Sequence, residues 1–239
     1  MPDLSHERER ELSADPVALT LPRPRPERRI FHGRTVSVEP IGPEHAADLF
    51  AHYHADETAK AVYDYLPYGP FADEEAFAAW LAEMATRDDP VFYAFRRTSN
   101  GRVEAMASLM EIVPAQGRIE IGHINISTAM QNSIEATEGL WLLMQHAMDD
   151  LGNRRFEWKC HAFNAGSRAA AARLGFSYEG IFYNHSVVKG RNRDTAWFSI
   201  LDSDWPLIRA NFLAYLDPEN FDTEGRQKQS LGDLNRAMR

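Results

Sequence analysis

The stretch from Arg118 to Phe176 restricts the fold of this chain more than any other. RIEIGHINIS alternates apolar and polar residues as a half-buried strand does. A polar turn, TAMQNS, follows, and then a helical pattern from about Ile134 to Leu151 that stops at Gly152. RRFEWKCHA repeats the strand signal, and NAGSRAAAARLGF repeats the helix, stopping at Gly175. Two successive strand-to-helix junctions should lie parallel, with both helices starting at the same sheet edge. The first amides of a helix lack intrahelical acceptors and, with the helix dipole, attract anions. Asn132 and Ser133 suit the N-cap of the first helix, and Asn164 that of the second, with Ser167 in its first turn. Taken singly, each is an ordinary cap. Together, two converging helix starts make room for a long phosphorylated ligand.

The flanking sequence supplies the rest of one domain. GRTVSVEPI reads as a strand, and GPEHAADLFAHYHAD and DEEAFAAWLAEMATRDD read as amphipathic helices, the second capped by Asp73. YDYLPYGPF between them reads as an aromatic, proline-rich loop. VFYAFRR and VEAMASLMEI form a hairpin closed at Ser99-Asn100-Gly101, and RIEIGHINIS is the third strand of that meander. SYEGIFYNHSVVKG and RNRDTAWFSILD form a last hairpin around Gly190, followed by a short helix, SDWPLIRANFLAYL. The expected fold is mixed α/β, a sheet with helices on its faces. Residues 1–30, with LPRPRPERR, read as a flexible charged arm, 31–216 as the domain, and 217–239 as a polar tail.

Charge and cysteine content narrow the partners. The net charge of −9 argues against a sequence-independent nucleic-acid binder. Cys160 is the only cysteine, so no intrachain disulfide forms and a reducing, cytoplasmic home is expected. No apolar run reaches the ~18–20 residues that span a bilayer, so no membrane partner is expected.

The segment IGHINIS…MQNSIEATEGLWLLMQHAMDDLGNRRFEWKCHAFNAGSRAAAARLGFSYEG resembles the acetyl-CoA-binding core of the GNAT acetyltransferases, in particular the Rim-type branch of ribosomal-protein N-terminal acetyltransferases. Gln131, Ala136, Thr137 and Glu138 match the family's Gln/Arg-x-x-Gly-x-Gly/Ala-Thr-Glu pattern, and Asn164 and Ser167 its Asn-x-x-Ser. Leu174-Gly175-Phe176 with Glu179-Gly180 match its closing turn. The family's central glycine is Ile134 here, which leaves pyrophosphate geometry in question.

The resemblance implies a central mixed, mostly antiparallel sheet splayed between the family's fourth and fifth strands, here RIEIGHINIS and RRFEWKCHA. It implies acetyl-CoA as co-substrate, no metal, and direct transfer to an amine acceptor, either a protein N-terminus or a small molecule. The cofactor-binding positions would be Ile124, Asn125 and Ile126 on the splayed strand, then Gln131, Asn132, Ser133, Ile134, Glu135, Ala136 and Thr137, then Asn164 and Ser167. Ser167 matches the general acid, or serves only as a cofactor ligand. Tyr63, Tyr65, Tyr68 and His123 would wall the acceptor site.

For a base, Glu120 and His123 lie on the right strand. Three positions apart, they face opposite sides of a regular strand unless a bulge intervenes, and Glu120 is the preferred base. An α-amine, with a pKa near ~8, needs little help, so a dedicated base is not obligatory. His45, His52 and His54 read as helix-surface residues rather than a metal cluster, and Cys160 as a buried structural cysteine. Arg191-Asn192-Arg193-Asp194 reads as the solvated turn of the last hairpin, with binding of an acidic substrate group as the alternative. A non-catalytic acyl-CoA-binding or regulatory module is the alternative to the enzyme. A homodimer through the last strands or helices is an open expectation that no residue specifies.

Overall fold

Strand β1 (Phe31–His32) turns back through Gly33, Arg34 and Thr35 into β2 (Val36–Pro40). That turn is held from the opposite layer, because the Glu138 carboxylate accepts from the Arg34 and Thr35 amides at 2.8 and 2.7 Å. Helices α1 (Ala46–Tyr53), α2 (Glu57–Lys60) and α3 (Glu74–Ala85) follow, and the Asp73 side chain caps α3 by accepting from the Ala76 amide. Then come β3 (Val91–Arg97), β4 (Val103–Val113) and β5 (Arg118–Ile126) as an antiparallel meander. The chain continues through α4 (Ile134–Gln145), β6 (Arg155–His161), α5 (Ala165–Arg173), β7 (Ser177–Val188) and β8 (Arg191–Leu201). It closes with α6 (Trp205–Leu216) and α7 (Leu231–Arg236). The computed structural model describes residues 18–237.

The eight strands form one sheet in the order β1-β2-β3-β4-β5-β6-β8-β7. Its parallel pair is β5 with β6; the other neighbours run antiparallel. This is the mixed, mostly antiparallel sheet expected, with β1 added at one edge. Apolar side chains cover both faces. Phe95, Leu140, Trp141, Phe156, Phe176 and Phe212 build the core under α4 to α7. Leu49, Tyr53, Phe77, Leu81, Phe92 and Met106 build the core under α1 to α3. Because β3 is buried on both faces, VFYAFRR is apolar without alternation.

Three segments differ from the sequence reading. The loop ahead of α3 is partly helical, with α2 running into a 3-10 turn over Ala61–Tyr65. The helix expected to run to Leu151 leaves α geometry after Gln145 and finishes in a π-helical turn, His146–Asp150. The polar tail is folded over its described part. Leu231 of α7 is buried, and Asn235 donates to the Arg173 carbonyl at 2.9 Å. Of the arm, residues 1–17 lie outside the described residues. Residues 18–30 run extended against the domain, where Arg23 donates through its amide to the Pro114 carbonyl and through Nε to the Leu151 carbonyl. No described helix is long and apolar enough to cross a membrane.

Packing of α4 on the sheet sets the position of the helix start that matters below. Gly139 faces the fully buried ring of Phe95, and a Cβ added there would lie 2.5 Å from Phe95 Cδ2. Alanine at this position gains about 1 kcal/mol of helix propensity. It must also displace a ring in a filled core, at about 1–3 kcal/mol. Gly139→Ala is therefore expected to bring no stabilisation and to cost up to about 2 kcal/mol in denaturant unfolding, where an exposed helix site would gain about 1 kcal/mol.

Candidate active site

The site begins where the β5–β6 ladder ends. Parallel pairing joins Arg118, Ile119 and Glu120 to Arg155, Phe156 and Glu157, and goes no further. Against β4, Ser108 faces Gly122 while Met106 faces Asn125, so β5 carries one extra residue there. His123 sits in that bulge at φ 51°. A bulge bends its strand and strengthens the twist. Past it, β5 stays with β4, and the Tyr53 hydroxyl of α1 donates to the Asn125 carbonyl at 2.7 Å. The separation of β5 from β6 opens a cavity of about 400 Å³ through the sheet.

The start of α5 lines this opening through Asn164 and Ser167, and the start of α4 follows the end of β5. Ser133 caps α4, accepting from the Ala136 amide at 3.1 Å and donating to the Met130 carbonyl. The Gln131 and Ser133 amides turn inward to Ser127 and Met130, and the Thr137 amide to Ser133. The amides of Asn132, Ile134 and Glu135 are left without an acceptor among the described residues. Three such donors at a helix start can hold an anion. Arg97 fixes the loop by donating to the Glu104 and Glu135 carboxylates and to the Ala129 carbonyl. At the second junction, Asn164 caps α5 by accepting from the Ser167 amide at 3.0 Å.

Inside the cavity, Lys159 Nζ stands 2.7 Å from Glu120 Oε2 as an ion pair. Burial pushes the Glu120 carboxyl up to about 7, against the pull of Lys159. Burial, with Arg193 nearby, brings His123 down to about 4, so its imidazole is neutral at physiological pH. The Ser167 hydroxyl accepts from Trp158 Nε1 at 3.0 Å. Cys160 lines the cavity as a buried free thiol, and burial pushes its pKa up, so it stays protonated rather than nucleophilic. His185 Nδ1 lies 3.0 Å from Thr195 Oγ1 on the opposite wall.

Several expected positions meet here. Glu120, His123, Ile124, Asn164, Ser167 and Tyr65 all line the cavity. The bulge brings Glu120 and His123 to the same opening, which regular alternation would forbid. Other positions make contacts outside the cavity. Thr137 is buried, its hydroxyl donating to the Ser133 carbonyl and accepting from Arg173. Ala136 spends its amide on the Ser133 cap, and Gln131 turns its side chain to the Ile126 carbonyl. The Asn125 side chain is fully buried, behind the strand rather than in the cavity. Tyr63 is buried and Tyr68 packs at a tilt against Trp80 and His123, so both support the wall from behind while Val62, Tyr65, Leu66 and Pro67 form it.

Sequence reading missed Lys159, His161 and His185, and placed Arg193 in a solvated turn. Arg191 to Asp194 instead open β8, the turn falls at Lys189-Gly190, and Arg193 faces the cavity. Glu157, Lys159 and His161 alternate with Phe156, Trp158 and Cys160. Polar side chains on one face of a central strand were the available signal. Among the described residues, no group of three His, Cys, Asp or Glu side chains is arranged to hold a metal ion.

The left-handed backbone in the loop falls on Asn132, at φ 58°, and not on Ile134, which begins α4. Asparagine tolerates that conformation, whereas a β-branched residue is strained in it. Asn132→Gly should leave affinity for acetyl-CoA, the ligand the sequence resemblance implies, close to that of the parent, while Asn132→Val should weaken it by about 1–2 kcal/mol, roughly 5- to 30-fold, by titration calorimetry.

A family model described as acetyltransferase (GNAT) domain matches residues 36–177. A GCN5-related N-acetyltransferase from Brucella melitensis has a similar structure, with 46% sequence identity and a TM-score of 0.87, covering 91% of this chain and 98% of its own. A GNAT-family acetyltransferase structure from Chromobacterium violaceum ATCC 12472 shares 38% identity at a TM-score of 0.75, covering 82% and 97%. The RimL ribosomal L7/L12 alpha-N-protein acetyltransferase has the same fold at 19% identity and a TM-score of 0.63, covering 72% and 94%. No curated protein matches the chain. With its splayed parallel pair, its open helix starts and a domain model spanning more than half its length, the chain belongs to the GNAT acetyltransferase family, whose members transfer acetyl groups from acetyl-CoA.

Proposed function

We propose that the chain is an N-acetyltransferase that moves an acetyl group from acetyl-CoA directly to a primary amine. The observation that carries this reading is the placement of Glu120, paired with Lys159, in the opening between β5 and β6. The free amides of Asn132, Ile134 and Glu135 would take the pyrophosphate, with Asn164 and Ser167 beside the arm that follows. The acceptor enters from the α1–α3 side, past Tyr65, Leu66 and Pro67. The likeness to RimL is one of fold, so a protein N-terminus stands beside small amines as an acceptor class.

The chemistry assigns a role to each group. The acceptor nitrogen must lose a proton to attack the thioester carbon, and Glu120 takes it, directly or through a water. A carboxylate whose pKa lies near the working pH suits that task. Backbone donors at Ile124 to Ile126, past the bulge, lie where the carbonyl oxygen gains charge; one such donor is worth about 3–4 kcal/mol. As the carbon–sulfur bond breaks, the Ser167 hydroxyl gives its proton to the leaving thiolate. Trp158 Nε1, donating to Ser167 Oγ, holds that hydroxyl in place beside the Cys160 thiol. The same loop would serve a non-catalytic acyl-CoA sensor, but a sensor has no use for a buried carboxylate with a raised pKa.

The sign of the pH dependence follows from Glu120. Only the ionised carboxylate is a base, so activity is full above about 7 and falls tenfold per pH unit below it. Thiol release against pH, on a panel of amines and N-terminal peptides, should show that limb. Glu120→Gln should lower kcat by about 10²–10⁴ and remove the inflection near 7. Acetyl-CoA binding without thiol release on any amine would favour the sensor.

A further inference from the structure

The walls of the acceptor cavity carry an uncompensated positive charge. Arg193 lies on β8 two residues before Thr195, which pairs with His161, so the two side chains share a face. Its Nε is buried, and no carboxylate, carbonyl or hydroxyl among the described residues accepts from its guanidinium. Among the described residues Glu120 is the single acid on the lining, and Lys159 stands 2.7 Å from it and 3.7 Å from Glu111, which lies outside the lining. Asp194, the next residue, points away and accepts from the Asn184 amide and the Asn192 side chain. His161 and His185 add donors and no negative charge. Arg193 is half-buried with its Nε out of water and unpartnered, so a ligand that brings an acceptor would complete it.

A plain protonated amine would enter this cavity against one unpaired cation and bring nothing to satisfy it. An amine that also carries a carboxylate supplies the missing anion, and the planar guanidinium fork matches a carboxylate through two parallel hydrogen bonds. We propose that the acceptor is a small amino carboxylate, a free amino acid or a close analogue, whose carboxylate is bound by Arg193 while its amine faces Glu120. A cavity of about 400 Å³, which also takes the acyl end of the donor, fits a molecule of that size. This proposal rests on the N-acetyltransferase reading and goes beyond it by naming the substrate class.

The test compares free amino acids with their carboxamides and with short peptides of neutral N-terminal residues. Thiol release is measured for the intact protein and for Arg193→Gln, and binding is measured by calorimetry in the presence of CoA. The expected result is a preference of about 100-fold or more in kcat/KM for one or more free amino acids over the matching carboxamides. Arg193→Gln should abolish that preference, chiefly through KM. Arg193→Lys should restore part of it. Equal turnover of carboxamides or peptides overturns the substrate class and leaves the acetyltransferase reading standing. Binding of an amino acid through Arg193 without turnover supports the carboxylate site and overturns the acetyltransferase reading. No binding and no turnover of any free amino acid overturns the inference.

Discussion

One extra residue in β5 is the constraint on which the rest of this structure depends. A sheet with apolar cores on both faces would ordinarily continue its ladder from edge to edge and leave no opening. His123, held at φ 51°, shifts the register of β5 against β4 and ends its pairing with β6 after Glu120. The opening is kept by contacts on the strands' outer sides. Tyr53 of α1 holds the far end of β5 through the Asn125 carbonyl, and β8 pairs with β6 along its whole length. The unpaired backbone past the bulge is thus fixed by its surroundings before any ligand arrives, so little ordering cost falls on binding.

The opening divides two kinds of electrostatics. On the α4–α5 side, charge comes from backbone. Helix-start amides are fixed in place, and Arg97 holds their loop by neutralising Glu104 and Glu135, two carboxylates that would otherwise repel an anion. On the α1–α3 side, charge comes from side chains in a low-dielectric wall. Burial there keeps His123 neutral and raises Glu120 toward neutrality despite its lysine partner. Of the two influences on Glu120, desolvation outweighs the ion pair, and that balance is what allows a carboxylate to act as a base near pH 7.

Much of this was legible in the sequence, because it is written in local signals. Asp73, Ser133 and Asn164 each cap the helix that follows them, with hydrogen bonds from Ala76, Ala136 and Ser167. The two strand-to-helix units identified the parallel pair. What was illegible depends on long-range geometry. Lys159 and Arg193 reach the cavity only because the strands separate; the polar face of β6 was a local signal for Lys159, but nothing in the sequence marks the separation itself. Thr137 and Glu138, matched to a cofactor motif, prove to be fasteners: Glu138 ties α4 to the β1–β2 turn, and Thr137 meets Arg173 of α5. The isoleucine at 134 looked like a defect because a family pattern was read position by position. The backbone shows that the residue needing a left-handed conformation is Asn132, two places earlier.

Amide hydrogen exchange with and without acetyl-CoA tests the central claim most directly, because it reports on backbone donors one segment at a time. The account predicts protection on binding at Asn132, Ile134 and Glu135 and along Ile124 to Ile126, with the already bonded amides of Ser133 and Ala136 little changed. Binding that leaves both segments unprotected, or that protects a different helix start, would contradict it.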